Sequence, residues 1–292
     1  MKLAAIDIGS NAVRLQVSRA LHTNGQTKFK RIEYLRVPLR LGHDVFKQQC
    51  ISAESEQKLI QVLQAFKLLI ELYGVDAHMI CATSALREAH NKHEIVQRIK
   101  KVLALSVDIV NGAREAALTD SAVQHSLGDY NYLHVNVGGG STEISFYIGQ
   151  EKLSSRSFKI GTIRLLECCD VESTWEDMQA WMHAQKQHFT DSPIGIATGG
   201  NIRKLAQLAR RGVSKPLSLK RLKELHDYLA AYSLTERIHK LALNPDRADV
   251  ILPAAQIYAT AMEWGGVKKI VVPGISLMDG IIQELHRRCT RD

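Results

Sequence analysis

AAIDIGSNAVRLQVS, residues 4–18, and LHVNVGGGSTEISFYIG, residues 133–149, are two versions of one pattern. Each is an apolar run that ends in a small acidic or amide residue, passes through a Gly/Ser-rich turn and resumes as a second strand. Asp7-Ile8-Gly9-Ser10 falls on Asn136-Val137-Gly138-Gly139. A glycine turn lets the backbone approach a ligand closely and aim several N–H groups at an anion. One such turn says little. Two of them, one opening each half of the chain, predict a duplicated domain that grips a phosphate from both sides.

Outward from the first turn, Lys2 to Ile8 is a nearly continuous apolar run, the mark of a buried strand. Ala12 to Leu21 reads as the second strand, Asn24-Gly25 as a two-residue hairpin and Lys28 to Leu41 as the third strand. Ser52 is a good helix cap, with Glu54 and Glu56 in the first turn where the dipole favours them. Leu59, Leu63, Phe66 and Ile70 follow at helical spacing, and Gly74 closes the helix. A strand at Ala77 to Cys81, a helix at His93 to Leu103, a short strand at Ser106 to Val110 and a helix at Ala113 to His125 complete this half.

The second half restarts the pattern with strands at Tyr132 to Val137, Thr142 to Ile148 and Lys152 to Ile160, turning at Gly149-Gln150. A helix at Trp175 to Phe189, a strand at Ile194 to Ala197 and mostly helices to Trp264 come next. A strand at Lys268 to Val272 and a helix from Ser276 to Arg288 close the chain. The boundary is expected near Gly128, giving domains 1–127 and 128–292, with the closing helix (276–292) able to pack back on the first. The absence of a Pro/Ser-rich linker predicts two closely set domains with a cleft between them.

A length of 292 residues suits two domains that each bury a core. No apolar run approaches the roughly 20 residues needed to span a bilayer, and Asp7 interrupts the N-terminal run too early for a signal peptide. Cys50, Cys81, Cys168, Cys169 and Cys289 are odd in number, scattered and without a CxxC pair. They predict a reducing, cytoplasmic setting and argue against a zinc site. The net charge of +8 favours anionic partners, or serves solubility alone. The basic stretches Lys28 to Arg36 and Arg210 to Lys223 lack the aromatic platform of a single-strand nucleic-acid binder. No membrane and no specific nucleic acid are therefore expected as partners.

In VNVGGGSTE, Gly138, Gly139 and Gly140 offer unobstructed N–H donors, Ser141 and Thr142 add hydroxyls, and Glu143 is placed to hold a metal directly or through water. Three consecutive glycines cost conformational entropy that a plain turn would not require, which favours phosphate binding. In IDIGSNAVRL, Asp7 at the end of a buried strand needs a charged or metal-linked partner, or else caps the turn; Ser10 and Asn11 are donors to phosphate oxygens, and Arg14 lies on the second strand. Arg87, in TSALREAHN, is either a planar fork for phosphate or a solvated surface residue. Glu115, in GAREAALTD, lies in a first helical turn, where a carboxylate often only complements the dipole. Gly199 and Gly200, in ATGGNIRKLA, form either another anion site at a helix start or an ordinary strand-to-helix turn.

Together AIDIGSNAVRL, ATSALREAHN, NGAREA, VNVGGGSTEIS, SFKIGTIRLLE, ATGGNIRKLA, RADVILPAA and GISLMDGII resemble, in order and over nearly the whole length, the exopolyphosphatase and guanosine pentaphosphate phosphatase (Ppx/GppA) family. The resemblance implies an α/β fold of two RNase H-like (actin-like ATPase) domains, each a mixed β-sheet with flanking helices, around an interdomain cleft. It implies a short, two-domain member without the further HD-type helical domain of longer ones. It also implies a hydrolase that releases terminal phosphate from inorganic polyphosphate or guanosine pentaphosphate with Mg²⁺ as cofactor, and a possible homodimer.

By resemblance, Glu115 is the catalytic glutamate that activates water and Arg87 a phosphate-binding arginine. Gly138 to Ser141 match the second phosphate loop, Glu143 an acidic residue close to the metal, and Asp7, Ser10, Asn11 and Arg14 the first loop. One departure stands out: the family usually has aspartate where this chain has Asn136. An amide is a weaker Mg²⁺ ligand, so a protein that binds polyphosphate or alarmone without turnover is the alternative. An actin-like kinase or ATPase is a third reading, because one fold hosts several chemistries.

Overall fold

β1 (Lys2–Ile8) shows no polar alternation because both of its faces are covered. Ala4, Ile6 and Ile8 pack with Leu59, Leu63 and Phe66, while Leu3 and Ala5 on the other face pack with Met278, Ile281 and Ile282. A computed structural model describes residues 1–23, 25–167, 171–209 and 216–290 of the chain. Asn24 of the first hairpin, Cys168, Cys169 and the 210–215 part of the second basic stretch lie outside the described residues.

β2 (Val13–Thr23) and β3 (Gln26–Val37) complete the first antiparallel meander. They lead to α1 (Leu41–Gln48), α2 (Ala53–Leu72), β4 (Ala77–Ala82), α3 (Ser84–Glu88), α4 (Lys92–Leu103), β5 (Asp108–Ile109) and α5 (Gly112–Gln124). The sheet runs β3-β2-β1-β4-β5, with β1, β4 and β5 parallel. α2 starts as its sequence dictates: the Ser52 side chain accepts a hydrogen bond from the Ser55 N–H, and Leu59, Leu63, Phe66 and Ile70 are buried.

The second meander is β6 (Asn131–Val137), β7 (Thr142–Ile148) and β8 (Glu151–Phe158). It is followed by α6 (Thr162–Leu166), α7 (Glu172–Lys186), β9 (Ile194–Thr198), α8 (Gly200–Leu208), β10 (Leu217–Ser218), α9 (Leu219–Ala230), α10 (Leu234–His239), α11 (Pro245–Ala248), α12 (Ile251–Trp264) and β11 (Lys269–Val271), and the chain closes on α13 (Leu277–Cys289). This sheet runs β10-β11-β9-β6-β7-β8. Both sheets are mixed and flanked by helices.

The repetition extends to register. Asp7 pairs with Arg14 across β1 and β2 as Asn136 pairs with Glu143 across β6 and β7. Each return strand then breaks register with the third strand at the same point, between Val17 and Ser18 and between Phe146 and Tyr147. β4 lies parallel beside β1 as β9 lies parallel beside β6.

The chain divides into two compact units, Met1–Ala122 with Leu277–Asp292, and Val123–Ser276. The division thus falls a few residues before Gly128. α13 is counted with the first unit because its apolar face completes the cover on β1. Gly280 is required there: a Cβ would strike the backbone of Leu118.

Two short helices differ from the sequence expectation. β3 ends at Val37 rather than Leu41, because Pro38 has no N–H for a ladder. Arg40, in the left-handed region at φ 57°, then turns the chain into α1. α6 is likewise new, only five residues long and too brief for a periodic signal. The expected strand Ser106 to Val110 shrinks to Asp108–Ile109 at the sheet edge.

Candidate active site

Both glycine turns are closed by the same bond. The Gly9 N–H donates to the Ala12 carbonyl at 3.1 Å, and the Gly138 N–H to the Ser141 carbonyl at 2.9 Å. In each unit the short helix after the third strand then takes up the turn's carbonyls. Arg40 and Gly42 donate to Asn11 and Ser10 at 3.0 and 2.8 Å. Thr162 donates to the Gly138 carbonyl, Ile163 and Arg164 to that of Gly139, at 2.8–3.1 Å, and Arg164 Nε donates to Gly140 at 2.9 Å. The N–H groups of Gly139, Gly140 and Ser141 have no backbone partner among the described residues. Carbonyls spent on a helix and amides left over are what an anion-binding turn needs. The approach is close enough that a Cβ on Gly161 would lie 2.5 Å from the backbone of Gly139 and Gly140.

The side chains of the two turns are arranged differently. In the first, Arg14 Nη1 forms an ion pair with Asp7 Oδ2, while Asp7 Oδ1 is buried with no hydrogen-bond partner among the described residues. Burial raises the Asp7 carboxyl above its ordinary range, and Arg14 only partly offsets it. Burial also opposes the Arg14 cation, but Asp7, Tyr34 and Glu115 outweigh it and raise its affinity for the proton. Ser10 and Asn11 are buried, and Ser10 Oγ shares a hydrogen bond of 2.8 Å with Ser84 Oγ at the start of α3.

In the second turn, Glu143 Oε1 accepts from Ser141 Oγ at 2.6 Å and from Ser157 Oγ at 3.1 Å, and its Oε2 accepts from Asn136 Nδ2 at 2.9 Å. Thr142 Oγ1 donates to the Ile160 carbonyl at 2.6 Å. Both hydroxyls proposed for phosphate therefore serve the turn itself, and the backbone amides remain as its donors.

Arg87 and Glu115 meet within the first unit. α3 places Arg87 just past β4, and Asn111, accepting from the Arg114 N–H at 2.8 Å, caps the start of α5 so that Glu115 points inward, 5% exposed. Arg87 Nη1 donates to the Val110 carbonyl at 2.9 Å and to Glu115 Oε2 at 3.3 Å. One nitrogen makes both bonds, so Nη2 and Nε of the fork have no partner among the described residues. Arg87 is therefore not the solvated surface group that its spacing alone allowed. Cys81, on β4 beside Asp7, is no nucleophile: burial, with the charges of Asp7 and Asp108 adding to it, pushes its thiol up to about 12.

Gly199 and Gly200 lie beside the second turn through Tyr258. The Val137 N–H donates to Tyr258 Oη at 3.2 Å, and Tyr258 donates onward to the Thr198 carbonyl. Gly199 sits at φ 115°, where a Cβ would fall 2.9 Å from Tyr258 Oη. The Gly200 carbonyl accepts from Arg247 Nη1 at 2.7 Å.

The sequence pattern of the Ppx/GppA phosphatase family matches residues 20–289. The chain belongs to the Ppx/GppA phosphatase family. Its first turn precedes the matched span and owes its place to geometry. Among Ppx/GppA relatives, it is 25% identical to a guanosine-5′-triphosphate,3′-diphosphate pyrophosphatase of Photobacterium profundum, over 97% of this chain and 59% of that protein. It is 25% identical to exopolyphosphatase 1 of Mycobacterium tuberculosis, over 97% of this chain and 87% of that one. The crystal structure of the Aquifex aeolicus Ppx/GppA family member superposes with a TM-score of 0.77 at 26% identity, covering 99% of this chain and 98% of that one. The chain thus spans well under two thirds of the Photobacterium protein.

Sequence reasoning missed several residues of this site. Tyr258 sits in the apolar face of α12 and reads as core. Thr198 stood in a segment singled out only for Gly199 and Gly200. Ser84 stood inside a segment singled out only for Arg87. Arg164 stood in a segment noted for the family resemblance rather than for chemistry.

Proposed function

We propose that this Ppx/GppA protein hydrolyses phosphoanhydrides, releasing terminal phosphate from inorganic polyphosphate or guanosine pentaphosphate. The observation that carries the proposal is the Arg87–Glu115 pair: a buried carboxylate held by one nitrogen of a guanidinium whose other nitrogens remain for phosphate oxygens. Phosphoryl transfer needs positioning and charge neutralisation more than covalent chemistry. Glu115 takes a proton from the attacking water as the new P–O bond forms and the bridging P–O bond breaks. Arg87 neutralises charge on the transferring group. Within the second unit, the Gly138 to Ser141 and Gly199-Gly200 turns offer backbone N–H groups to an anion. The Photobacterium and Mycobacterium relatives, a pyrophosphatase of a guanosine phosphate and an exopolyphosphatase, support this substrate class.

A divalent cation such as Mg²⁺ is assigned to the first turn, where Asp7 Oδ1 is buried without a hydrogen-bond partner among the described residues, though those residues hold no cluster of three or more His, Cys, Asp or Glu. When bound there it would neutralise phosphate charge. A second reading, a polyphosphate or alarmone binder without turnover, draws on the amide at Asn136. Phosphate release from long-chain polyphosphate and from guanosine pentaphosphate, each with Mg²⁺, tests the proposal. Release from either supports it. Tight binding of both with release from neither selects the binder.

A further inference from the structure

The second turn contains a directed chain of hydrogen bonds that neither the resemblance nor the proposed chemistry accounts for. His134 Nε2 lies 2.9 Å from Thr198 Oγ1, and Thr198 Oγ1 lies 3.1 Å from Asn136 Oδ1. The amide oxygen cannot donate, so the Thr198 hydroxyl must donate to it and accept from His134. With its oxygen fixed in this way, Asn136 turns its NH₂ group to Glu143 Oε2 at 2.9 Å. Ser141 and Ser157 supply the other carboxylate oxygen. Every member but Ser157 is buried.

A buried carboxylate is costly unless hydrogen-bonded or paired with a cation. Here Ser141 and Ser157 donate to one of its oxygens and Asn136 to the other, and the Asn136 oxygen accepts from Thr198. Mg²⁺ requires oxygen ligands with near-octahedral geometry. The second turn presents a donor nitrogen where such an ion would need a ligand. The first turn, with its buried unpartnered Asp7 oxygen, is the opposite case.

We infer that Asn136 stands in for a cation at the second turn: its amide, oriented by Thr198 and His134, stabilises Glu143 from within, so this turn holds anions without a divalent ion, and Glu143 is a positioning residue rather than a metal ligand. The inference goes beyond the hydrolase reading and is read out by cation binding, so either can fail alone. Replacing the amide by a carboxylate would set two acids side by side in a buried place and create the demand for a cation that the wild-type sequence removes.

The test counts Mn²⁺ bound to the full chain by electron paramagnetic resonance, in wild type, Asn136→Asp, Glu143→Gln and the double variant. The expected result is about one more Mn²⁺ per chain in Asn136→Asp than in wild type, lost again in the double variant, with Glu143→Gln alone equal to wild type. If Asn136→Asp is unfolded without metal, refolding on Mn²⁺ addition, followed by circular dichroism, counts for the inference, and failure to refold counts against it. An unchanged Mn²⁺ count in folded Asn136→Asp overturns it. So does a count lowered by Glu143→Gln alone.

Discussion

At the first turn a carboxylate on the leading strand faces a guanidinium on the return strand; at the second an amide faces a carboxylate. The backbones are otherwise the same: one closing hydrogen bond, one cross-strand register, one break in register, one short helix collecting carbonyls. The comparison separates what folds the turn from what the turn does. Glycine placement and register build an anion-facing loop in either unit. The cross-strand pair then decides whether the loop keeps an unsatisfied charged oxygen, as at Asp7, or closes on itself, as at Glu143. In this account Arg87 and Glu115 sit in the unit whose turn was left open.

The largest effect is expected on the open side. Arg87→Ala should lower phosphate release about 10²–10³-fold, the usual cost of removing one positioned donor to a developing charge, and should also lower the melting temperature, because the buried Glu115 carboxylate and the Val110 carbonyl lose the guanidinium. A matching loss from a change in the second turn that leaves folding intact would break the comparison. Next comes Gly161→Ala, which sets a Cβ 2.5 Å from the second turn's backbone. Urea unfolding should show a loss of about 3 kcal/mol, the upper end for overpacking. Gly9→Ala, with its nearest contact at 3.1 Å, should cost clearly less.

Tyr258→Phe should be smaller still. It strands the Val137 N–H and the Thr198 carbonyl, at about 1–3 kcal/mol for buried groups left unsatisfied. It should also weaken phosphate binding at the second turn, measured by calorimetry.

The smallest effect is in pH dependence. The Asp7 titration is raised in the folded protein, so the stability associated with its protonated form is complete below the ordinary carboxylate range and lost as pH rises through the raised value. Melting temperature against pH should show this decline in wild type, and Asp7→Asn should abolish it.

Much of the architecture was legible in the sequence because it rests on long, one-signal features. β1 announced itself by apolar residues on both faces, α2 by Ser52 and the Leu59-to-Ile70 spacing, and the duplication by its two glycine turns. α1 and α6 were not legible, since each is short and defined by hydrogen bonds to a turn distant in sequence. At the site, the glycines could be read because three in a row have few other uses. Arg87 and Glu115 could be named by resemblance, but their contact depends on the β1–β4 pairing and on the Asn111 cap. The internal use of Ser141 and Thr142 was hidden, because a hydroxyl in a turn looks the same whether it serves a ligand or the protein. Tyr258 was hidden among the apolar residues that surround it in α12.

The central claim is that Glu115 performs chemistry rather than structure. Phosphate release from long-chain polyphosphate with Mg²⁺ should be followed in Glu115→Gln beside wild type, with polyphosphate binding measured on the same samples. The account predicts release lowered about 10²–10⁴-fold with binding retained. Undiminished release from the folded variant would contradict it.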